Sequence, residues 1–435
     1  MNDFIQAKTL VEMELIGTSD KTLALTSGLV QHMESVLVEN VREIPICKHR
    51  FISQNVSIAD STLKSLMADG TPYVRWRVGF VAPGQNFWLP WQKHQVVSYV
   101  SLLKGIGDSA SHNLEIDTAD RLYTLNRQSK IVSRKGKISD MVRQIASDAG
   151  LDAVIEPTIG TYAFVQVNES DYEFIKSRLI KRCVNDKGRG QYLLYIRDNV
   201  LHFHSPDYQT EIKQVVYYDT PFNRIAQADH SQQLFDAGAS GTRLIAYDPY
   251  TGKSTEITND AEKHLRLADG IYRLDKVPHG AQTMVYHLSS NQSEEANALA
   301  QNVYSFGRAQ TFEIKFDVNS SLLIRAGDIL QFIIAPQAEK TSTWSGYYLV
   351  SNAVRKVYKE TLRTVYTLER GEIVRDQSTI TQANDSFQLI PETTAPGQDL
   401  NVSTTQNSVL TVGAGEQESS TVYSTVKDAN KAIVT

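Results

Sequence analysis

Apolar and polar residues alternate strictly over two stretches in the first fifth of the chain. Val11, Met13 and Leu15 are separated by Glu12 and Glu14, and Val74, Trp76, Val78 and Phe80 are separated by Arg75, Arg77 and Gly79. A period of two puts one set of side chains on each face of a strand, so both stretches predict strands with one buried face. Ala82-Pro83-Gly84-Gln85 supplies turn chemistry between strand-like runs. Strands with a single apolar face must be covered or closed, which makes a β-barrel or sandwich the expected form of residues 1–112.

The period then changes to that of a helix. Ser139 precedes Asp140, Met141, Val142, Ile145, Ala146 and Ala149, and Gly150 follows. Ser139 reads as the N-cap, Asp140 suits the positive end of the helix dipole, and Gly150 suits a left-handed C-terminal position. A second helix opens on Ser170-Asp171-Tyr172-Glu173, a capping box in which Ser170 and Glu173 each satisfy a backbone donor of the other. Phe174, Ile175, Arg178, Leu179 and Cys183 then share a face. Thr161 to Val167 is strand-like, and Tyr192 to Phe203 reads as two short strands around Asp198-Asn199. Residues 113–208 are therefore expected to form a compact α/β unit.

Strand patterning returns over 209–235, around Gln214 to Asp219. Residues 236–301 are mixed, with turn chemistry at Asp248-Pro249 and Thr251-Gly252 and a short helix expected from Ser293 to Val303. Phe312, Ile314, Phe316 and Val318 then face inward while Glu313, Lys315 and Asp317 face outward. Gly327-Asp328 marks a turn, and Ile329 to Ile334, Tyr347 to Val350 and Thr364 to Leu368 complete a second β region. From 375 the chain is rich in Ser, Thr, Gln and Asn, with Phe387 and Tyr423 its only aromatics. Such a segment cannot bury enough apolar surface to order itself, so 375–435 is expected to be a flexible arm that orders on a partner. No repeat is visible by residue identity.

Composition narrows the function. A length of 435 residues suits roughly two to four domains. The net charge of −5 marks neither a general nucleic-acid binder nor a membrane-surface protein. Cys47 and Cys183 are the only cysteines, too few for a disulfide framework or a zinc ligand set, and are expected as reduced thiols. The first residues lack the basic-then-apolar order of a signal peptide, and apolar runs such as 329–336 are too short to span a bilayer.

Catalytic constellations do not stand out. Gly238-Ala239-Ser240-Gly241-Thr242 departs from a hydrolase elbow, and Gly105-Ile106-Gly107 lacks the third glycine of a dinucleotide loop. Scattered carboxylates single out no glycosidase pair. His202 and His204 share a strand face, but no third or fourth metal ligand accompanies them, so a surface or interface pair is expected. Phe87, Trp88, Trp91 and Tyr99 form an aromatic group that suits a barrel core or an interface anchor. The basic run Arg121 to Lys137 reads as a solvated face or a contact for an acidic neighbour. Candidate interface residues are Arg75, Arg77, Trp88, Trp91, His202 and His204. No catalytic residue, metal site or cofactor is indicated.

Three stretches resemble one family. Ile138-Ser139-Asp140-Met141-Val142-Arg143-Gln144-Ile145, followed by Gln166-Val167-Asn168-Glu169-Ser170-Asp171-Tyr172-Glu173-Phe174-Ile175 and by Leu201-His202-Phe203, is similar to the signature of phage tail hub proteins of the late-control and type VI spike-base superfamily. Leu244 to Lys253 resembles the third quarter of the larger-phage baseplate hub. Arg325-Ala326-Gly327-Asp328-Ile329-Leu330 with Ser345-Gly346-Tyr347-Tyr348-Leu349-Val350 resembles its final barrel. The resemblance spans residues 100–375.

The resemblance implies an α+β, β-rich chain with two β-barrel tube domains flanking an α/β hub domain. The tube domains would be 1–112 and 209–235 with 302–374, the hub domain 113–208, the inserted domain 236–301 and the arm 375–435. It implies a non-enzymatic homotrimer that joins a sixfold tail tube to a threefold central spike. Implied partners are the spike, tube or tube-initiator proteins, other baseplate proteins and the tape measure protein, with genome DNA only in transit through the lumen. The implied place is the virion baseplate, after assembly in the host cytoplasm. A tail-associated cell-wall hydrolase or glycan-binding protein is the alternative.

Overall fold

The computed structural model describes residues 8–17, 22–24, 32–53, 72–82, 85–104, 111–186, 190–208, 212–218, 225–232, 241–247, 251–260, 284–289, 302, 312–318, 324–334, 346–358, 361–370, 386–389 and 408–411. The alternating stretches are strands. β1 (Lys8–Ile16), β2 (Thr22–Ala24), β3 (His32–Asn40), β4 (Ile46–Ser53), β5 (Tyr73–Ala82), β6 (Gln85–Trp88), β7 (Gln92–Lys104) and β8 (Ser111–Ala119) form the N-terminal β region. β1 and β5 pair antiparallel, so that Met13 faces Trp76 and Leu15 faces Val74, all four fully buried. Strand β8 crosses the boundary expected at 112/113 and belongs to this sheet through β4 and β7.

The next residues build a small unit with its own core. It contains β9 (Ser129–Gly136), α1 (Ile138–Asp148), β10 (Ala153–Ile155), β11 (Tyr162–Ser170), α2 (Asp171–Phe174, continued by tighter and wider turns to Arg182), β12 (Leu193–Arg197) and β13 (Val200–His204). Helix α1 starts two residues earlier than expected. Its N-cap is Lys137, and the Ser139 backbone N–H donates instead to Thr158 Oγ1. Its end is as expected: Gly150 has φ +64°, and the Leu151 and Gly150 N–H groups close back on Ala146 and Ser147 carbonyls. At α2 the capping box is complete, with Glu173 N–H on Ser170 Oγ and Ser170 N–H on Glu173 Oε2. Asp198 and Asn199 both take positive φ, the turn that suits a tight β12–β13 hairpin. Phe174, Ile175, Leu179 and Cys183 are buried against Ile145 and Phe203. Arg178 lies half-buried beside them, pairing with Glu169.

The remaining strands are β14 (Ile212–Tyr218), β15 (Ile225–Gln232), β16 (Gly241–Tyr247), β17 (Ser254–Asp260), β18 (Met284–Ser289), β19 (Phe312–Val318), β20 (Ile329–Ile334), β21 (Gly346–Tyr358), β22 (Thr361–Arg370), β23 (Ser386–Leu389) and β24 (Ser408–Thr411). Strands β14 and β15 hydrogen-bond to β20 and β19, while β16, β17 and β18 form a separate three-stranded sheet between them in sequence. Ile314, Phe316 and Val318 are buried as the alternation requires, but Asp317 is buried too, held by Arg363. The Ser293–Val303 helix lies outside the described residues except Asn302, and the arm lies outside them except β23 and β24, which pair with each other. Among the described residues no helix is long and apolar enough to cross a membrane.

The two β regions are one curled sheet. Its strands run β15, β19, β22, β21, β3, β4, β8, β7, β5, β1, β2, with β14, β20 and β6 branching from this path. Strand β21 makes the join possible by its length. Its first half pairs with β20, a register shift follows between Val350 and Asn352, and its second half pairs with β3 from Asn352↔Asn40 to Tyr358↔Glu34. Val357 and Leu362 consequently enter the N-terminal core beside Leu37 and Phe51.

The capping box gives a first test. Ser170→Ala removes one acceptor from the start of α2 and is expected to lower stability by about 0.5–2 kcal/mol. A urea denaturation midpoint equal to that of the parent protein would contradict this.

Candidate interface sites

The outer face of β5 carries four of the six candidate residues in one stack. Glu12 and Glu14 lie directly across from Arg77 and Arg75. Arg75 Nε donates to Glu14 Oε2 and Arg77 Nε to Glu12 Oε2, each at 2.6 Å. The Arg77 guanidinium lies 4.2 Å from the Trp88 ring and 4.6 Å from Trp91, and Arg75 lies 4.7 Å from Trp91. Trp91 therefore packs against two cations whose charges are neutralised on the other side. Each cation–π contact contributes about 0.5–1 kcal/mol and each surface ion pair about 0–1 kcal/mol, and all of these contacts are made within the chain. The aromatic group divides: Phe87 is buried, Trp88 and Trp91 are half-buried in this stack, and Tyr99 is exposed.

His202 and His204 lie elsewhere, on β13. They neighbour each other at 5.7 Å between ring centroids, and Tyr195 stacks on His202 at 5.0 Å. His204 is buried. Its Nε2 hydrogen-bonds the Tyr195 hydroxyl at 3.1 Å, and its Nδ1 meets the Ser205 carbonyl at 2.8 Å. His202 is half-buried, with Nδ1 unpaired. Burial pushes the His202 imidazole down to about 4, helped by His204, and lowers His204 as well. In the N-terminal region His49, bonded to Ser35 and Thr118, is pushed down by burial to about 3, and His94, edge-on to Trp76, to about 4.

A buried ionic junction ties three parts of the chain together. Glu39, near the end of β3, accepts from Arg325 Nε at 2.9 Å and the Ala326 N–H at 3.3 Å, and pairs with Arg355 Nη1 at 3.2 Å. Arg355, on β21, is completely buried, and its Nη2 donates to the Ile324 carbonyl at 2.7 Å. Arg325 also bonds Asp198 in the β12–β13 turn. Asp328 accepts from the Arg325 N–H at 2.8 Å and from Arg197 Nη1 at 2.6 Å. Burial alone would raise the Glu39 carboxyl, but Arg325, Arg355 and Arg197 hold it down at about 2. Gly327, at φ +93°, lets this turn approach Tyr195: an added Cβ would lie 2.7 Å from the Tyr195 hydroxyl. The sequence marked the 325–328 turn and the 198–199 turn, but gave no sign that Glu39 and Arg355 meet them.

Other candidates resolve locally. In the basic run, Lys130 and Arg134 bond Asp171, Arg121 donates to the Gly150 carbonyl, and Lys135 and Lys137 are exposed. Cys47 and Cys183 are buried free thiols, and burial raises both, Cys47 to about 12. Among the described residues no group of three His, Cys, Asp or Glu is placed to hold a metal ion. A cavity of about 550 Å³ opens between Val41–Glu43 and α2, with Ile180, Tyr192 and Leu193 as apolar lining and Arg42, Lys176 and Lys181 as its cations.

Two tests follow from this geometry. Glu39→Gln leaves the fully buried Arg355 without a counter-charge and Arg325 with Asp198 alone, and is expected to cost about 3–5 kcal/mol in the urea unfolding free energy. A loss below about 1 kcal/mol would mean water compensates the pair. The four depressed histidines are neutral in the fold, whereas the unfolded chain takes up their protons near pH 6.5. Stability should therefore fall as pH drops from about 6.5 towards 4, by up to about 1.4 kcal/mol per pH unit per imidazole. Asp120, raised by burial to about 8, opposes this, but as one carboxyl against four imidazoles. Denaturation midpoints that stay flat between pH 7 and 5 would refute the assignment.

No protein-family model matches the sequence, and no curated protein matches it in sequence. Solved structures do match in fold. A tail protein from Neisseria meningitidis MC58 superposes with TM-score 0.54 at 12% identity, covering 84% of this chain and 98% of that one. The 43 kDa tail protein of prophage MuSo2 from Shewanella oneidensis gives 0.52 at 9% identity, with 83% and 99% covered. A chain of the half-lidded Francisella PdpA–VgrG complex gives 0.51 at 10% identity, with 97% of this chain and 68% of that one covered. The chain thus has the β-rich fold of phage tail proteins, the class that its sequence motifs resemble.

Proposed function

We propose that the chain is a structural hub subunit of a phage-type tail baseplate, acting through its surfaces rather than through chemistry. The observation that carries this reading is the single sheet shared by the two β regions through β3 and β21, in a chain whose fold spans nearly the whole of two tail proteins. Strands placed side by side in this way present two β surfaces in a fixed relation. In a trimer, three such pairs supply six β units, the number needed to meet a sixfold tube, while the threefold axis meets a spike.

On this reading the first tube domain runs through β8, residues 120–208 are the hub domain, and 209–235 with 302–374 form the second tube domain. Residues 236–301 are its insertion and 375–435 an arm. The Arg75, Arg77, Trp88 and Trp91 stack is an interface patch: aromatic and charge-balanced, it can be desolvated without stranding a charge. Of the two histidines, half-buried His202 is the one a neighbour can reach, with His204 behind it. The partners are two further copies, the spike, tube or tube-initiator proteins and other baseplate components including the tape measure protein, in the virion tail after assembly in the host cytoplasm.

Light scattering on the purified protein tests the reading. The expected mass is three times that of one chain, with an interface on the order of 2,000 Å² or more. A stable monomer at micromolar concentration, or turnover of peptidoglycan, would overturn it.

A further inference from the structure

The β9–β11 ribbon shows an uncovered face of unusual composition. Its inner side chains, Tyr162, Arg134 and Gln166, are buried. On the outer face Ile131 pairs across to Val167, Ser133 to Val165 and Lys135 to Ala163. Ile131 is 72% exposed, Val165 50% and Val167 47%. Lys135, with Lys137 beyond it, supplies the charge at one end, and no carboxylate shares this face among the described residues. The edges of the ribbon differ. On β11 the Val165 carbonyl accepts from Arg178 Nη1 at 2.9 Å, whereas β9 hydrogen-bonds only to β11 among the described residues. An edge of this kind is a template for another strand, and an apolar face rimmed by lysines fits one that is acidic and apolar.

The chain holds a segment of that composition. Residues 376–435 contain seven Asp or Glu against two Lys, which equals the net −5 of the whole protein and leaves residues 1–375 balanced. Within them Glu416, Glu418, Ser420 and Val422 fall at period two and so share one face of an extended strand. Laid antiparallel to β9, Glu418, Ser420 and Val422 meet Lys135, Ser133 and Ile131 in order, an ion pair, a hydroxyl pair and an apolar pair, and Glu416 comes beside Lys137 just past the end of the strand. The apolar pair extends the row Ile131–Val167 by one residue. We propose that residues 416–422 of the same chain add to the free edge of β9 as a third strand.

The root of the arm argues for the same chain. Glu369, two residues from the start of the arm's lead-in at 371, pairs with Arg42; the Arg42 carbonyl accepts from Lys176 on α2, and Arg178 on the next turn holds Val165 of the ribbon. Because β23 and β24 pair with each other, the chain from Arg370 to Glu416 reaches on the order of 70 Å: residues 371–385, the width of the pair, and residues 412–415. The proposal stands whether or not the chain is a hub subunit.

Zero-length carbodiimide coupling on the full-length protein, mixed equally from ¹⁴N and ¹⁵N preparations, tests it by mass spectrometry. Peptides linking Lys135 to Glu418 and Lys137 to Glu416 are expected, each of a single isotope. They should vanish in the Glu416→Gln, Glu418→Gln double variant and in Ile131→Asp, a change at an exposed position that the fold tolerates. Mixed-isotope links would overturn the proposal in favour of a neighbouring copy. Links from these lysines only to other carboxylates, or links that survive Ile131→Asp, would overturn the pairing itself.

Discussion

A buried carboxylate fixes how the ends of this protein meet. Glu39 sits among Arg325, Arg355 and Arg197, and Arg355 is wholly buried. Removing such charges from water costs several kcal/mol per ion, and only close, fully hydrogen-bonded partners offset it. The cost is met only when β3, the 324–328 turn, β21 and the β12–β13 turn are all in place. The junction therefore contributes less as net stability than as a condition: an arrangement that misplaces one of these four parts strands a charge. Arg355 comes from the strand that pairs with β3, so charge and backbone register enforce the same alignment.

The consequence is a sheet with no gap between its N-terminal and C-terminal strands. Strand β21 serves β20 and β3 in turn, changing neighbour where its register shifts, and β5 does the same for β7 and β6. Long strands that change partner let a sheet curl while every central backbone group stays paired. Such a scaffold is suited to carrying surfaces. Its outer faces bear self-contained stacks such as Arg77 between Trp88 and Trp91, while the titratable groups inside are kept neutral or paired by packing.

Much of this was legible in the sequence because it depends on neighbours within a few residues. Period-two patterning located β1, β5 and β19, and the capping box located α2, because strand faces and helix caps are decided by residues two or three apart. The Asp198-Asn199 hairpin and the Gly150 helix end followed from backbone preference alone. Where local chemistry was ambiguous the reading slipped: Ser139 looked like an N-cap, but its N–H found Thr158 and the helix began at Ile138. Asp317 looked outward by alternation, but strand β22 brought Arg363 to it and buried it.

The candidate interface shows the same division. Arg75 and Arg77 share the polar face of their strand by spacing, but only the folding of β6 and the 89–91 link brings Trp88 and Trp91 over them. The pairing of His202 and His204 was set by their spacing, whereas the burial that holds them neutral was set by Tyr195 and the strands on either side. The sequence by itself determined which segments are strands and helices, where they turn, and that the chain's negative charge lies in its last sixty residues. The tertiary structure alone decided that Glu39 meets Arg325 and that β3 lies beside β21. These partners are about three hundred residues apart, and pairing over such distances follows from which buried charges and register satisfy one another in space, a condition no local pattern encodes.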